Sequence, residues 1–381
     1  MNLPDPALTI FWLSSIGLGY TYVGYAALMS VLAAGRSRPH FDLVNVEEAV
    51  SVIIVAFNEE ERIHARIANI LASDYPAKYL EVVVVSDGSA DSTAHRVRSI
   101  GNERVHVVDR STRSGKAACL NAAFSQVSGK VVVLADARQR FAPDTIRQLV
   151  RHFSDPKIGA VSGSLEIEAA VSAVGRGVGA YWKMEKSLRE AEARWDSCVG
   201  CTGAVYAVRR EAFEPVPEDT LLDDVVIPMQ IARKGYRVLH DSAATAFDPQ
   251  PLEPEAEARR KRRTLAGNFQ MLFRYPHWIL PGGHRLWWQL ISHKYLRLAA
   301  PLLLAAVLLA NLTLISSPWY RIIFLAQCLF YTAAIAGRFT GAKSRLLALP
   351  AGFVFLNLSV LSAAWHYCRG GDLQRWETRR A

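Results

Sequence analysis

The stretch Val82-Val-Val-Val85-Ser86-Asp87-Gly88-Ser89 decides the fold class. Four consecutive valines fit a strand buried on both faces, as in a parallel sheet covered by helices. Such sheets bind ligands beyond the carboxyl ends of their strands. Asp87 falls at that end, and Gly88 lets the backbone turn tightly. A carboxylate there accepts hydrogen bonds from a base or ribose. Taken alone, the same residues also read as an ordinary Asp-Gly turn closing a strand.

The neighbouring segments extend the pattern. Val50–Val55 reads as a strand, and Asn58 with Glu59, Glu60 and Glu61 predicts a capped helix start. Val105–Val108 and Val131–Leu134 are further strands, separated by a helix over Lys116–Val127. Pro143-Asp144 opens a helix to Phe153. This alternation argues βαβ units and a largely parallel sheet. After Gly159 it weakens to a helix over Ala173–Trp195, a strand over Gly203–Val208, a helix over Asp224–Lys234 closed by Gly235, and a short strand at Val238-Leu239.

Asp136 ends the Val131 strand as Asp87 ends the Val82 strand, so two carboxylates share one sheet edge, where a divalent ion or a sugar nucleotide fits. The Lys116 ammonium can meet a phosphate as a point charge. Asp223-Asp224 reads either as a plain helix start or as a base whose neighbour raises its pKa. Gly175–Ala180 matches G-x-G-x-x-A without a convincing strand before it, so close helix packing is the better reading. Cys198 and Cys201 form a lone C-x-x-C among five cysteines; with no second pair, the expectation is reduced, inert thiols.

The chain has 381 residues and a net charge of +9. The positives cluster at Arg36 and Arg38, at Arg259–Arg263 and at Arg379-Arg380. Beside long apolar stretches, such clusters indicate membrane flanks rather than nucleic-acid binding. Ala7–Ala34 is long enough to cross a bilayer, which takes about 20 apolar residues, and it is too long for a signal-peptide core. Leu298–Ser316, Trp319–Gly337 and Leu346–Tyr367 are three more candidate spans, and His284–Leu298 reads as an interfacial helix leading to them. Arg36 and Arg38 place the following region in the cytoplasm. Three C-terminal spans would then put Arg369, Arg375, Arg379 and Arg380 outside, so a re-entrant segment is one expectation.

Together these residues resemble the membrane-bound family 2 glycosyltransferases, the group of the cellulose, hyaluronan and poly-N-acetylglucosamine synthases. The resemblance runs from Val50 to Leu272. Ala56-Phe57-Asn58-Glu59-Glu60 is similar to the family's Tyr-Asn-Glu-Glu element, and Val84–Ser89 to its nucleotide-binding Asp segment. Gly115-Lys116-Ala117-Ala118 with Asn121 resembles its Lys-containing helix, and Ala135-Asp136-Ala137-Arg138 stands at its Asp-x-Asp. Cys201-Thr202-Gly203-Ala204 resembles the acceptor-side turn, Leu222-Asp223-Asp224 the element that supplies the base, and Arg260–Arg263 the Gln/Arg-x-x-Arg-Trp position.

The resemblance implies a GT-A fold, Rossmann-like with a mostly parallel sheet, and transmembrane helices at both ends. The expected organisation is an N-terminal anchor (1–48), a catalytic domain (49–250), a basic and interfacial helical segment (251–297) and a C-terminal transmembrane region (298–381). Implied too is inverting transfer of a hexosyl or N-acetylhexosaminyl group from a nucleotide-sugar donor to a lipid-linked or polysaccharide acceptor. Asp224 is then the general base. Asn58, Glu59, Asp87, Lys116, Asp136, Arg260 and Arg263 bind the nucleotide sugar, with Asp87 on the nucleotide base. Cys201, Thr202, Gly203 and Asp223 lie on the acceptor side. Asp136 holds Mg²⁺ or Mn²⁺, and membrane lipids are further partners. The expected setting is a bacterial inner membrane with the catalytic domain cytoplasmic. Two departures stand out: Arg138 replaces the second acid of Asp-x-Asp, and Thr264 replaces the Trp of the last motif. They leave open a processive polysaccharide synthase and an inactive scaffold as alternatives.

Overall fold

The structure, a computed structural model, describes residues 5–36, 47–167, 173–248, 254–339 and 344–370. Its centre is an eight-stranded sheet of order β3-β2-β1-β4-β7-β6-β8-β5. Strands β1 (Val50–Ala56), β2 (Leu80–Asp87), β3 (Val105–Arg110) and β4 (Val131–Asp136) run parallel. Their register aligns Ala56 with Ser86 and Val55 with Asp136, so the strands end together. The valine runs are buried on both faces, one packing on the helices Lys116–Phe124 and Asp223–Arg233, the other on Ile63–Leu71. This two-sided burial is what an unbroken apolar run requires.

The second half departs from the expected short strands. β6 (Ile158–Ile167) and β8 (Arg237–Asp248) are long and pair in parallel, while β7 (Val205–Arg209) lies antiparallel between β4 and β6; β5 (Arg140–Phe141) closes the edge against β8. Glycines interrupt the apolar pattern of β6 for a steric reason. A Cβ at Gly159 would lie 2.4 Å from Ile231, and one at Gly163 would lie 2.5 Å from the Ala244 carbonyl. The G-x-G-x-x-A match falls within the helix Ala173–Trp195 rather than at a strand-to-helix turn.

Asn58 does not cap a helix. It adopts φ +53°, and its Oδ1 accepts from the Ala90 N–H while its own N–H meets Ser89 Oγ. Glu59 N–H donates to Thr93 Oγ1, and Glu60 Oε2 accepts from Ser92 N–H. The polar run is used to lace two strand-end loops together, and the helix starts later, at Ile63.

Among the described residues, four helices are long and apolar enough to cross a membrane: Pro6–Ala34, Trp287–Thr313, Pro318–Phe339 and Leu346–Cys368. The expected interfacial helix at His284 is instead continuous with the second of these, through a π turn at Ile291–Tyr295. His284 precedes this helix and His293 lies in its π turn; both are buried. The last helix carries Pro350 without a break, so no interruption marks a re-entrant segment there. Arg375, Arg379 and Arg380 lie outside the described residues. Polar contacts knit the apolar helices, including Tyr22 Oη to Asn357 Oδ1 at 3.1 Å and Tyr20 Oη to Ser292 Oγ at 2.8 Å.

Candidate active site

At the carboxyl ends of β2 and β4 the chain assembles a polar cluster. The Lys116 ammonium lies 3.0 Å from Asp136 Oδ1 and 3.5 Å from Asp223 Oδ2. Burial works against that charge, but Asp136, Asp223 and Asp224 outweigh it and hold the ammonium above the usual lysine range. Asp136 keeps 40% of its side chain exposed, whereas Asp223 keeps 5%. Arg66, beneath, donates from Nε to the Asp136 carbonyl at 3.1 Å and stacks on Phe141.

Asp223 and Asp224 open their helix, where the dipole favours negative charge. Burial and the adjacent Asp223 raise the Asp224 carboxyl above the normal range, with Lys116, Lys294 and Arg189 acting the other way. The Cys201–Ala204 turn is fastened to this helix. Cys201 N–H donates to the Asp224 carbonyl at 2.7 Å, and the Gly203 Cα hydrogen faces the Asp224 carboxylate, since a Cβ would come within 3.0 Å of Oδ2. Thr202 N–H meets Ser162 Oγ, and Thr202 Oγ1 accepts from Arg189 at 3.1 Å. Cys198 and Cys201 are buried thiols, that of Cys198 pushed up by burial to about 12, an environment of inert sulfur.

Asp87 is fully buried. Its carboxylate accepts from the Ser114 N–H at 2.7 Å, the Gly115 N–H at 2.9 Å and Ser114 Oγ at 3.1 Å. These bonds shape the loop that launches Lys116. Gly88 permits the fold-back: its φ is +64°, and a Cβ would sit 2.5 Å from the Arg113 nitrogen. Glu59 is raised by burial and lies within the fields of Arg138 and Asp136.

Arg138 forms an ion pair with Asp248 at the end of β8. Its charge is turned toward that carboxylate, with Gln139 Nε2 also bonding Asp248 at 3.2 Å. Among the described residues no three His, Cys, Asp or Glu side chains converge as a metal cage. Asp136 offers a carboxylate with 40% of its side chain exposed, which suits the mode in which Mg²⁺ binds through one or two carboxylates plus substrate phosphates.

Arg260 and Arg263 lie on the helix Pro254–Arg274. Their spacing from Gly267 puts all three on one face. Gly267 packs against Leu222, so close that a Cβ would fall 2.5 Å from Leu222 Cγ, and Gln270 Oε1 accepts from the Leu221 N–H. This packing fastens the helix that carries Arg260 and Arg263 to the turn into Asp223. Sequence reasoning missed Tyr206, Arg189, His240 and Lys294. Tyr206 brings a buried, unpartnered hydroxyl within the fields of Asp223 and Asp224, and only its place in the inward alternation of β7 signals it.

Residues 51–216 match the Glycosyl transferase family 2 model. This stretch is a family 2 glycosyltransferase domain. The chain is related to poly-beta-1,6-N-acetyl-D-glucosamine synthase of Staphylococcus aureus, 25% identical over 273 residues that cover 70% of this chain and 64% of the relative. The synthase of Staphylococcus epidermidis is 24% identical over 66% of this chain and 59% of its own length. The chain therefore spans less than two thirds of these relatives. In fold, a mannosyltransferase from Pyrobaculum calidifontis, solved in complex with GDP-Man and Mn²⁺, superposes with TM-score 0.72 at 22% identity, over 95% of this chain and 97% of that one. The chain thus has a GT-A fold, with apolar helices in its N- and C-terminal regions.

Proposed function

We propose that the protein transfers a sugar, with inversion, from a nucleotide-sugar donor to a membrane-associated acceptor at the cytoplasmic face. The observation that carries this reading is the meeting of Asp136, Lys116, Asp223 and Asp224 at the carboxyl ends of β2 and β4. A donor diphosphate on Lys116 would bring its anomeric carbon toward Asp224. Asp224, held above the usual range, takes the proton from the acceptor hydroxyl as that oxygen attacks. Lys116, Arg260 and Arg263 offset charge on the departing diphosphate. A divalent ion, held by Asp136 and the donor phosphates, would supply further charge neutralisation. Asp87 acts in this scheme by holding the Ser114–Gly115 turn under Lys116.

The anchor, catalytic, basic and C-terminal segments then work as one membrane enzyme. Thr264, in place of the Trp beside the acceptor, favours addition of a single sugar or few sugars over long-polymer synthesis. The test is a panel of UDP-, GDP- and dTDP-sugars offered to the full chain with and without Mn²⁺, following donor hydrolysis and product size. Folded protein silent across the panel would overturn the reading; a ladder of long products would favour the processive alternative.

A further inference from the structure

The helix Ala173–Trp195 carries Glu185, Arg189 and Glu192 at spacings that set them along one face. Opposite stands His293, fully buried in the π turn Ile291–Tyr295 of an apolar helix. Such turns are rare and are frequent at functional sites. His293 Nε2 lies 2.8 Å from Glu185 Oε1, and Nδ1 lies 2.9 Å from Glu192 Oε1. Only the imidazolium carries an N–H on both nitrogens and can bond both carboxylates at once.

Both glutamates reach onward to one turn. Glu192 Oε2 accepts from the Val199 N–H at 3.3 Å. Glu185 Oε1 accepts from Arg189 Nε at 3.3 Å, and Arg189 Nη1 donates to Thr202 Oγ1 at 3.1 Å. Between these two points the Cys201 N–H donates to the Asp224 carbonyl at 2.7 Å. One imidazole ring therefore governs two arms, which end on either side of the bond that fastens Asp224. The remaining carboxylate valences are filled by the Tyr25 hydroxyl on Glu192 and by Arg297 on Glu185. A buried ion cluster is weak evidence for stability, because apolar residues of like volume pack such a junction as well or better. What this cluster supplies is one fixed arrangement of the turn.

We propose that His293 is a positioning residue for Asp224, acting through Glu192 on Val199 and through Glu185 and Arg189 on Thr202. This deepens, and rests on, the reading of Asp224 as the base. A base works within about 2.6–3.2 Å of the proton that it takes, and misplacement by about 1 Å can cost 10²-fold in rate. Lys116 and Asp136 bond each other outside the two arms. The loss on releasing the arms therefore falls on kcat and spares nucleotide binding.

The test uses the full chain in detergent and reads amide hydrogen exchange over 199–202, kcat with a donor that the wild type accepts, and the Kd of the nucleoside diphosphate. His293→Gln keeps one donor group and loses the other ring's-width contact, so one arm is released. Exchange in the turn should quicken about tenfold or more, the loss of one charge-assisted bond. The kcat should fall toward 10²-fold, with the nucleoside diphosphate Kd unchanged. Arg189→Met cuts only the Thr202 arm and leaves Glu185 with His293 and Arg297; it decides the matter if His293→Gln does not fold. In a double-mutant cycle the two losses in kcat should combine to less than their product, because they share one path. Wild-type exchange in either folded variant, faster exchange with unchanged kcat, or a loss that falls on the Kd instead would each overturn the proposal. A wild type silent across the donor panel would sink the transferase reading and the catalytic role of His293 with it, while the exchange rates still report whether the two arms hold the turn.

Discussion

Lys116 joins Asp136 at 3.0 Å, and through this contact the end of β4 is tied to the first turn of the Asp223 helix. One ammonium thus holds two elements that would otherwise present like charges to each other. Lys116→Met keeps the length of the side chain and removes the charge. Hydrogen bonds to charged groups contribute about 1.5–3 kcal/mol, so donor KM should rise roughly 10- to 100-fold. Isothermal titration with the nucleoside diphosphate checks the same loss without turnover.

Asp224→Asn should lower turnover about 10²- to 10⁴-fold, the usual contribution of a general base, with nucleotide affinity nearly unchanged. The acid limb of the rate–pH profile should lie above the ordinary aspartate value of about 3.9, because burial and Asp223 raise the Asp224 pKa. The stability sign follows from the same shift. The folded state holds this proton more tightly than the unfolded chain. Stability from this group is therefore present at low pH and falls as pH rises through the folded pKa. Asp224→Asn should flatten that part of the midpoint-against-pH curve.

Arg138 and Asp248 make a second pair to test. Arg138→Ala leaves a carboxylate of 5% side-chain exposure short of its partner, a loss of about 1–3 kcal/mol. The double variant Arg138→Ala/Asp248→Ala should lose less than the sum of the single variants, as a double-mutant cycle of thermal midpoints reads it. Arg138→Asp, which restores the acid pattern, sets two carboxylates together and should lower the midpoint further.

Gly267→Ala addresses the basic helix. Its Cβ meets Leu222 at 2.5 Å, so the helix must move away from the turn into Asp223. Misplacement by about 1 Å can cost 10²-fold in rate, and kcat should fall toward that extent while the nucleotide still binds. An unchanged kcat would separate Arg260 and Arg263 from the reaction.

The parallel half of the sheet was legible because each strand carries its own signal: Val82–Val85 and Val131–Leu134 are apolar throughout and end in an acid. β6 was not, because Gly159 and Gly163 answer to close contacts with Tyr236, Val205 and Ala244, and Ser162 to hydrogen bonds with Thr202, none of which local periodicity records. The site divides the same way. Asp136, Lys116 and Asp223-Asp224 stand in short motifs. The partners of Arg138 and His293 lie more than 100 residues away in sequence, and only the folded chain brings them together. The sequence pattern sets Asp87 at the strand end, and only the fold shows its carboxylate accepting from the Ser114–Gly115 turn.

The N-terminal helix is bonded, through Glu192, to the loop that reaches Asp224. Tyr25 on that helix donates to Glu192 at 2.6 Å, Glu192 accepts from the Val199 N–H at 3.3 Å, and two residues on Cys201 holds the Asp224 carbonyl. Three contacts separate this helix from Asp224. Cutting the helix away to obtain a soluble domain would strip Glu192 of a partner and loosen the Cys201–Ala204 turn. Under the proposed function, bilayer thickness, which sets how such a helix tilts, would bear on where Asp224 sits.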